Sequence, residues 1–240
     1  ITRFVNRNDP LLGSPWSSGL APGGANGINT LTTIESSARS LYQGVTLGLT
    51  RRPSQHLEFQ AYYTYSKDKS DDDNERDPFS FRYAKVTDLD SEYGYSDRDQ
   101  RHRVNSWLLW NAPLGFDVNV RYSYRSAQPK SITASGADAA TPQDRCSKRN
   151  ADGSCTADAV VTRRNLGRKD NQYSSLDLRL SRQIRVAGVA IEPAVDIFNL
   201  LNSKNLRRPE VTNLIFNFDG TVQSGVGDPR QVQLAVRVLW

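Results

Sequence analysis

No methionine occurs among the 240 residues, and there are only two cysteines and two histidines. Long apolar runs are missing too. The most apolar stretch, Trp107 to Trp110 (WLLW), is four residues long. A membrane-crossing helix takes about 20 such residues, so that class is excluded. A β-barrel is not, because only alternate residues of its strands must be apolar. His56 and His102 stand in different segments, with no Cys or Ser at useful spacing. No nucleophile–base pair and no metal quartet forms, so we expect no enzyme and no cofactor. Cys146 and Cys155 lie nine residues apart in a polar stretch, which suits a local disulfide in an oxidising compartment. Zinc is not expected, because no further ligand completes a set. The net charge of +5 comes from 31 basic and 26 acidic residues that are interspersed, which gives no reason to expect nucleic acid. With no Met and a start at Ile1, a mature piece or fragment is expected, so no signal peptide should be visible.

What is present is alternation. Val232, Leu234, Val236, Val238 and Trp240 alternate with Gln231, Gln233, Ala235, Arg237 and Leu239. At 37% apolar usage, chance gives five apolar positions on one face roughly once in 150 trials, so the period of two is a strong signal. The pattern recurs in Val45, Leu47 and Leu49; in Leu57, Phe59, Ala61, Tyr63 and Tyr65; and in Val104, Leu108 and Trp110. It recurs again in Phe116, Val118, Val120, Tyr122 and Tyr124; in Leu176, Leu178 and Leu180; and in Val189, Ile191, Val195 and Ile197. These predict seven antiparallel strands of about 10 residues, the length that crosses a bilayer at a tilt. Ile1 to Val5 is expected to be the tail of an eighth.

Three connections are tight, around Arg52-Pro53-Ser54, Pro113-Leu114-Gly115 and Val186-Ala187. Pairing Leu49 with Leu57, Ala112 with Phe116, and Ile184 with Val189 keeps each apolar set on one face. The other connections, residues 67–100, 127–171 and 200–229, are long and polar. Short turns on one side and long loops on the other are the habit of outer-membrane barrels. Tyr63, Tyr65, Tyr122 and Tyr124 then lie near the loop ends, and Trp110 and Trp240 near the turn ends, as two aromatic belts. The fold class is all-β, an antiparallel up-and-down transmembrane β-barrel segment.

The opposite face carries the candidate ligand-binding residues. Arg121, Arg125, Asp177, Arg179, Glu192, Asp196, Gln231, Gln233 and Arg237 should point into the lumen. In this register Asp177 faces Asp196, and Arg179 lies diagonal to Asp196 and Glu192. These charges either pair with one another or a plug, or contact a ligand. Asp71-Asp72-Asp73 with Glu75 and Asp77 reads as a solvated acidic loop or a calcium site, and it lacks the Gly of an EF-hand loop. Gly94 to Asp99 contains two acids and reads as a turn.

Several motifs carry a resemblance. Ser40-Leu41-Tyr42-Gln43-Gly44-Val45 followed by Leu49-Thr50-Arg51-Arg52, and then Tyr63-Thr64-Tyr65-Ser66-Lys67, resemble stretches of TonB-dependent outer-membrane receptors of the Oar-like kind. So do Gly94-Tyr95-Ser96-Asp97-Arg98-Asp99-Gln100-Arg101-His102-Arg103, Asp196-Ile197-Phe198-Asn199-Leu200-Leu201-Asn202, and Gly227-Asp228-Pro229-Arg230-Gln231-Val232-Gln233-Leu234. The resemblance runs in order from about residue 36 to residue 240. It implies a barrel of about 22 strands around a plug, energised by TonB. This chain contains neither plug nor TonB box, so it is expected to be the C-terminal portion of such a barrel.

The implied function is uptake of an unidentified ligand. The expected partners are outer-membrane lipid, the receptor's own plug, TonB through the missing N-terminal part, and the barrel-assembly machinery. Val232, Leu234, Val236, Val238 and Trp240 resemble the terminal-strand signal that this machinery reads, through strand addition to an open edge. The alternatives are a small stand-alone barrel with a structural or adhesive role, and a soluble β-sandwich that binds carbohydrate. The sandwich would bury the apolar face of the last strand beneath a second sheet.

Overall fold

The computed structural model describes residues 3–6, 32–54, 56–72, 89–133, 145–148, 150, 156–158, 162–169, 171–207, 225–226 and 229–240. In chain order the strands are β1 (Arg3–Asn6), β2 (Thr32–Glu35), β3 (Ser40–Ser54), β4 (Leu57–Ser70), β5 (Gly94–Tyr95), β6 (His102–Ala112), β7 (Phe116–Arg125) and β8 (Pro129–Lys130). They continue with β9 (Gly167–Arg168), β10 (Tyr173–Arg182), β11 (Ile184–Val186), β12 (Val189–Phe198), β13 (Leu206–Arg207), β14 (Gly225–Val226) and β15 (Gln231–Leu239). Contacts divide the chain into two units. One holds residues 1–43, 67–99 and 128–169, and the other holds 44–66, 100–127 and 170–240.

The second unit is an antiparallel meander in the order β3, β4, β6, β7, β10, β12, β15, with β11 continuing β10 alongside β12. Its registers put every apolar set on one face. One row runs through Leu57, Trp110, Val118, Leu180, Val195 and Leu234. The next runs through Phe59, Leu108, Val120, Leu178, Ile197 and Val232. Among the described residues nothing covers this face of the last strand. Val232, Leu234, Val236 and Val238 are 63%, 76%, 68% and 45% exposed. Among the described residues of this unit, Ala194 is the one buried apolar side chain. A soluble sandwich would bury this face, at about 1.5–3 kcal/mol per side chain. A sheet without a core is stable only where hydrocarbon replaces the core. Among the described residues no helix is long and apolar enough to cross a membrane. The aromatic rows lie where expected, with Tyr63 and Tyr124 flanking Val104, and Tyr65 beside His102.

Of the three expected hairpin registers, Ala112 with Phe116 holds, closed over Leu114 and Gly115, both at positive φ. The other two are corrected. β3 continues through Arg52-Pro53-Ser54 instead of turning there. Thr46 Oγ1 lies 2.9 Å from Thr64 Oγ1, and a Cβ on Gly48 would meet the Tyr62 ring at 2.8 Å. These contacts carry Leu49 past Leu57 toward Ala61. Pro53 does not end the strand because β3 is the sheet edge, where a missing N–H is tolerated. In the second case Ile184 pairs with Ile191, not with Val189. Ala187 (φ 50°) and Gly188 (φ 86°) form a two-residue turn closed by Val186 and Val189. Positive φ at both central positions matches strand twist and permits this tighter loop. Both shifts are even, so the faces are preserved while the partners change.

Pro193 has a similar local effect. It stands in an interior strand, and the ladder between β12 and the β10–β11 arm is interrupted at Gln183, around its level. A residue without an N–H leaves a rung unmade. The N-terminal expectation is also corrected. β1 pairs only with β2, in a separate two-stranded sheet, and is not an eighth strand of the meander.

The facing of β15 is directly testable. Leu234→Arg places a charge on the apolar face and should destabilise the protein refolded in lipid vesicles by about 2–4 kcal/mol. Gln233→Arg, one residue away on the polar face, should change it by less than about 1 kcal/mol. Equal losses in urea unfolding would refute the assignment of faces.

Candidate functional site

The polar face of the meander is built by the same alternation. All nine residues singled out from the sequence fall on it. Asp177 pairs with Arg121, Arg179 with Asp196, Asp196 with Gln233, Glu192 with Arg237, and Gln231 with Phe198 across their ladders, while Arg125 stands opposite Arg103 and Tyr173. One expected relation is overturned. Asp177 does not face Asp196. The tight Ala187-Gly188 turn shifts the register by two residues and brings Arg179 opposite Asp196, with Nη1 3.3 Å from Oδ2. The repulsive carboxylate pair of the expected register becomes an ion pair. Asp177 instead accepts hydrogen bonds from the Asn199 N–H at 2.9 Å and the Ser175 hydroxyl at 2.8 Å.

Tyr62 lies on this face as the alternation predicts, and Trp107 lies there too, without a signal in the sequence pattern. Trp107 donates its indole N–H to Gln60 Oε1 at 3.1 Å, and Gln60 Nε2 donates to the Tyr62 hydroxyl at 2.7 Å. Trp107 sits inside WLLW, whose run of four apolar residues hides the alternation and so the inward-facing member. Arg103 shares this face by parity, opposite Arg125, and is a further candidate beyond the nine. Toward the turns, Glu58, Asn111, Asp117, Asn119, Arg179, Ser181 and Glu192 line part of an open cavity of about 350 Å³. This arrangement pairs and orders polar side chains.

The Asn-rich end of β12 has a structural explanation. Asn199 and Asn202 adopt left-handed backbone conformations (φ 50° and 52°). Asn199 bonds Ser203 through both side-chain atoms, and Asn202 Oδ1 accepts the Arg230 N–H at 3.0 Å. Asn205 bonds both the N–H and the carbonyl of Ser174, standing in for a strand partner. These side chains bond backbone groups where the strands end, which is what Asn in loops does well.

The first unit is assembled from long connections and has little apolar interior. Its buried side chains include Asp71, Asp72, Glu92, Ser96, Asp99, Arg145, Arg164 and Asn165, against the apolar Ala38, Pro129 and Cys146 among the described residues. Polar groups at this depth need partners. Glu92 pairs with Arg145, both fully enclosed. Asp71 accepts from the Arg39 backbone N–H at 2.6 Å and from its Nε at 3.3 Å, while Arg39 Nη2 reaches Asp90 at 2.8 Å. The segment Gly94–Asp99 holds the expected turn, at Asp97 and Arg98 and closed by the Asp99 N–H on the Ser96 carbonyl, and it also forms a clasp. Asp99 accepts the Asp68 N–H at 3.0 Å and Arg168 Nη2 at 2.7 Å, and Asn165 Nδ2 donates to the Tyr95 carbonyl at 2.7 Å and Asp97 Oδ1 at 2.8 Å. Gly94 is required there, since a Cβ would come within 2.8 Å of the Arg164 carbonyl oxygen.

Asp71 and Asp72 of the proposed acidic loop are therefore engaged structurally. Asp73, Glu75 and Asp77 lie outside the described residues. Cys146 is buried and disulfide-bonded, and Cys155 lies outside the described residues. Asp158 is held below the ordinary carboxylate range, first by the Thr156 hydroxyl, then by its own backbone N–H and Lys148. Any stability it contributes is present above the usual Asp pKa and is lost as pH falls through the lowered value.

An antiparallel sheet with an uncovered apolar face, a charged opposite face, tight turns at one end and long connections at the other defines an outer-membrane barrel protein. Residues 2–233 match the family model described as outer membrane beta barrel domain, and the chain belongs to that family. It is a protein of the bacterial outer membrane. A search of curated proteins and one of solved structures found no match.

Two outcomes check this geometry. Cysteines at Arg179 and Asp196 should cross-link on mild oxidation, because directly opposed strand positions meet disulfide spacing, whereas cysteines at Asp177 and Asp196 should not. Asp99→Ala removes the carboxylate that accepts from Arg168 Nη2 and from the Asp68 N–H, and should destabilise the first unit by about 2–4 kcal/mol. The readout is hydrogen exchange at residues 89–99. Unchanged protection would show that the clasp is dispensable.

Proposed function

We propose that this chain is the C-terminal portion of the barrel of a TonB-dependent receptor, and that it takes part in uptake of a ligand. One observation carries the reading. The meander ends in β3 on one side and β15 on the other, and among the described residues no ladder joins them. Lipid offers no hydrogen bonds to an open strand edge, so a spanning sheet of this kind needs further strands to close it. A larger barrel supplies them and encloses a lumen wide enough for a plug. The motif resemblance supports the same reading. So does the polar face, whose charges suit a wall that meets a plug or a passing ligand. The long, internally braced connections suit ligand capture.

The partners follow from this reading. Outer-membrane lipid contacts the apolar face, and a plug of the same polypeptide contacts the polar face. TonB acts through that plug. The exposed apolar stripe Val232, Leu234, Val236 and Val238, ending at Trp240, suits capture by the assembly machinery through strand addition. No catalytic role is proposed.

The native polypeptide, extracted from outer membranes and sequenced by mass spectrometry, tests the proposal. A chain several times 26.9 kDa, with a segment ahead of Ile1 that cross-links to TonB, is the expected result. A polypeptide of about this size, closed as a small barrel, would sink the receptor reading in favour of a structural or adhesive protein.

A further inference from the structure

Charge on the polar face is unevenly balanced. Toward the turns, Arg179 has Asp196 and Arg237 has Glu192 opposite. Toward the loop ends, Arg103 and Arg125 are direct partners in the β6–β7 ladder, on the same face. Like charges directly opposed on neighbouring strands repel. Their row consists of Thr64, Arg103, Arg125 and Tyr173, and contains no acid. The next row toward the turns contains none either. Arg121, one row further, faces Asp177, whose Oδ1 is already taken by Asn199 and Ser175. Among the described residues no ion pair involves Arg103, Arg121 or Arg125.

The two guanidinium groups are also held in place. Arg125 lies over the Tyr173 ring, with Cζ 4.7 Å from its centroid, a cation–π contact that restrains its side chain. Arg103 is half-buried, and its Nε is enclosed without a hydrogen-bond partner. A half-buried guanidinium with no acid in its row, beside a second one stacked on an aromatic ring, is a fork-shaped receptor for an oxyanion. We propose that Arg103 and Arg125, supported by Arg121, bind a carboxylate or phosphate group of the ligand that enters along the polar face. The inference rests on the uptake reading and specifies its substrate as an organic anion. Trp107, opposite Arg121 on its ladder, offers that ligand an apolar contact.

The test is isothermal titration of the full chain, extracted from outer membranes in detergent, with pyrophosphate and with citrate. At least one should bind saturably, and the tighter of the two identifies a phosphoryl or a carboxylate ligand. Arg103→Gln and Arg125→Gln should each weaken that binding about tenfold. Arg185→Gln removes the same charge from an exposed position beside the Ala187-Gly188 turn and should leave binding within about twofold. In the absence of anion, Arg103→Gln should melt no lower than the parent, since it relieves a repulsion. No saturable binding, equal weakening by Arg185→Gln, or a lower melting temperature for Arg103→Gln would each overturn the site. The two readings fail separately. A large receptor that binds neither anion loses only this site, and a small barrel that binds pyrophosphate through these arginines loses only the uptake reading.

Discussion

The constraint on which the rest depends is that backbone hydrogen bonds must be completed inside the sheet while one of its faces meets no protein. Strand alternation sends every second side chain to that face, so each strand must carry an apolar residue there or expose a polar one to hydrocarbon. The two rows through Leu57 and Phe59 satisfy this across six consecutive strands. The exposure of β15 shows the consequence, since its valines and leucine are not a core but an outer surface. Interior packing, which usually selects one register among many, is largely missing here. Turn geometry takes over that role.

Turn geometry therefore also sets the electrostatics of the polar face. The Ala187-Gly188 turn is two residues long because both positions adopt positive φ. That choice places Arg179, not Asp177, opposite Asp196. A looser hairpin would leave the apolar face unchanged and turn an ion pair into a repulsion. Such a slip is invisible to hydrophobic patterning, which responds only to odd shifts. Charge pairing across the ladder distinguishes the even ones, and so favours the observed register over its neighbours.

The first unit uses a different means of stability. With Ala38, Pro129 and Cys146 as its buried apolar side chains among the described residues, it relies on enclosed carboxylate–guanidinium contacts and on side chains that bond backbone groups. Removing either partner of such a contact leaves a buried charge, which is why these networks hold a defined geometry without a hydrophobic centre. Long polar connections can in this way present a shaped surface to a ligand.

Much of this was legible from residue order alone. The period of two named the seven strands of the meander, their apolar face and the polar face with all nine candidate residues, because side-chain direction in a strand depends only on parity. The Pro-Leu-Gly turn located its own hairpin. What residue order left undecided were quantities that depend on distant chain segments. The partner of Asp196, the passage of β3 through Pro53, and the pairing of β1 with β2 outside the meander all follow from ladders formed in three dimensions. The clasp around Asp99 joins Asp68, Asn165 and Arg168 with residues 94–99, far apart in the chain, and no local pattern announces it. Trp107 was hidden at the head of a run of four apolar residues, and the opposition of Arg103 to Arg125 required the register of two strands at once. Parity is local and survives in sequence, whereas register and long-range ion pairing are set only when the strands meet.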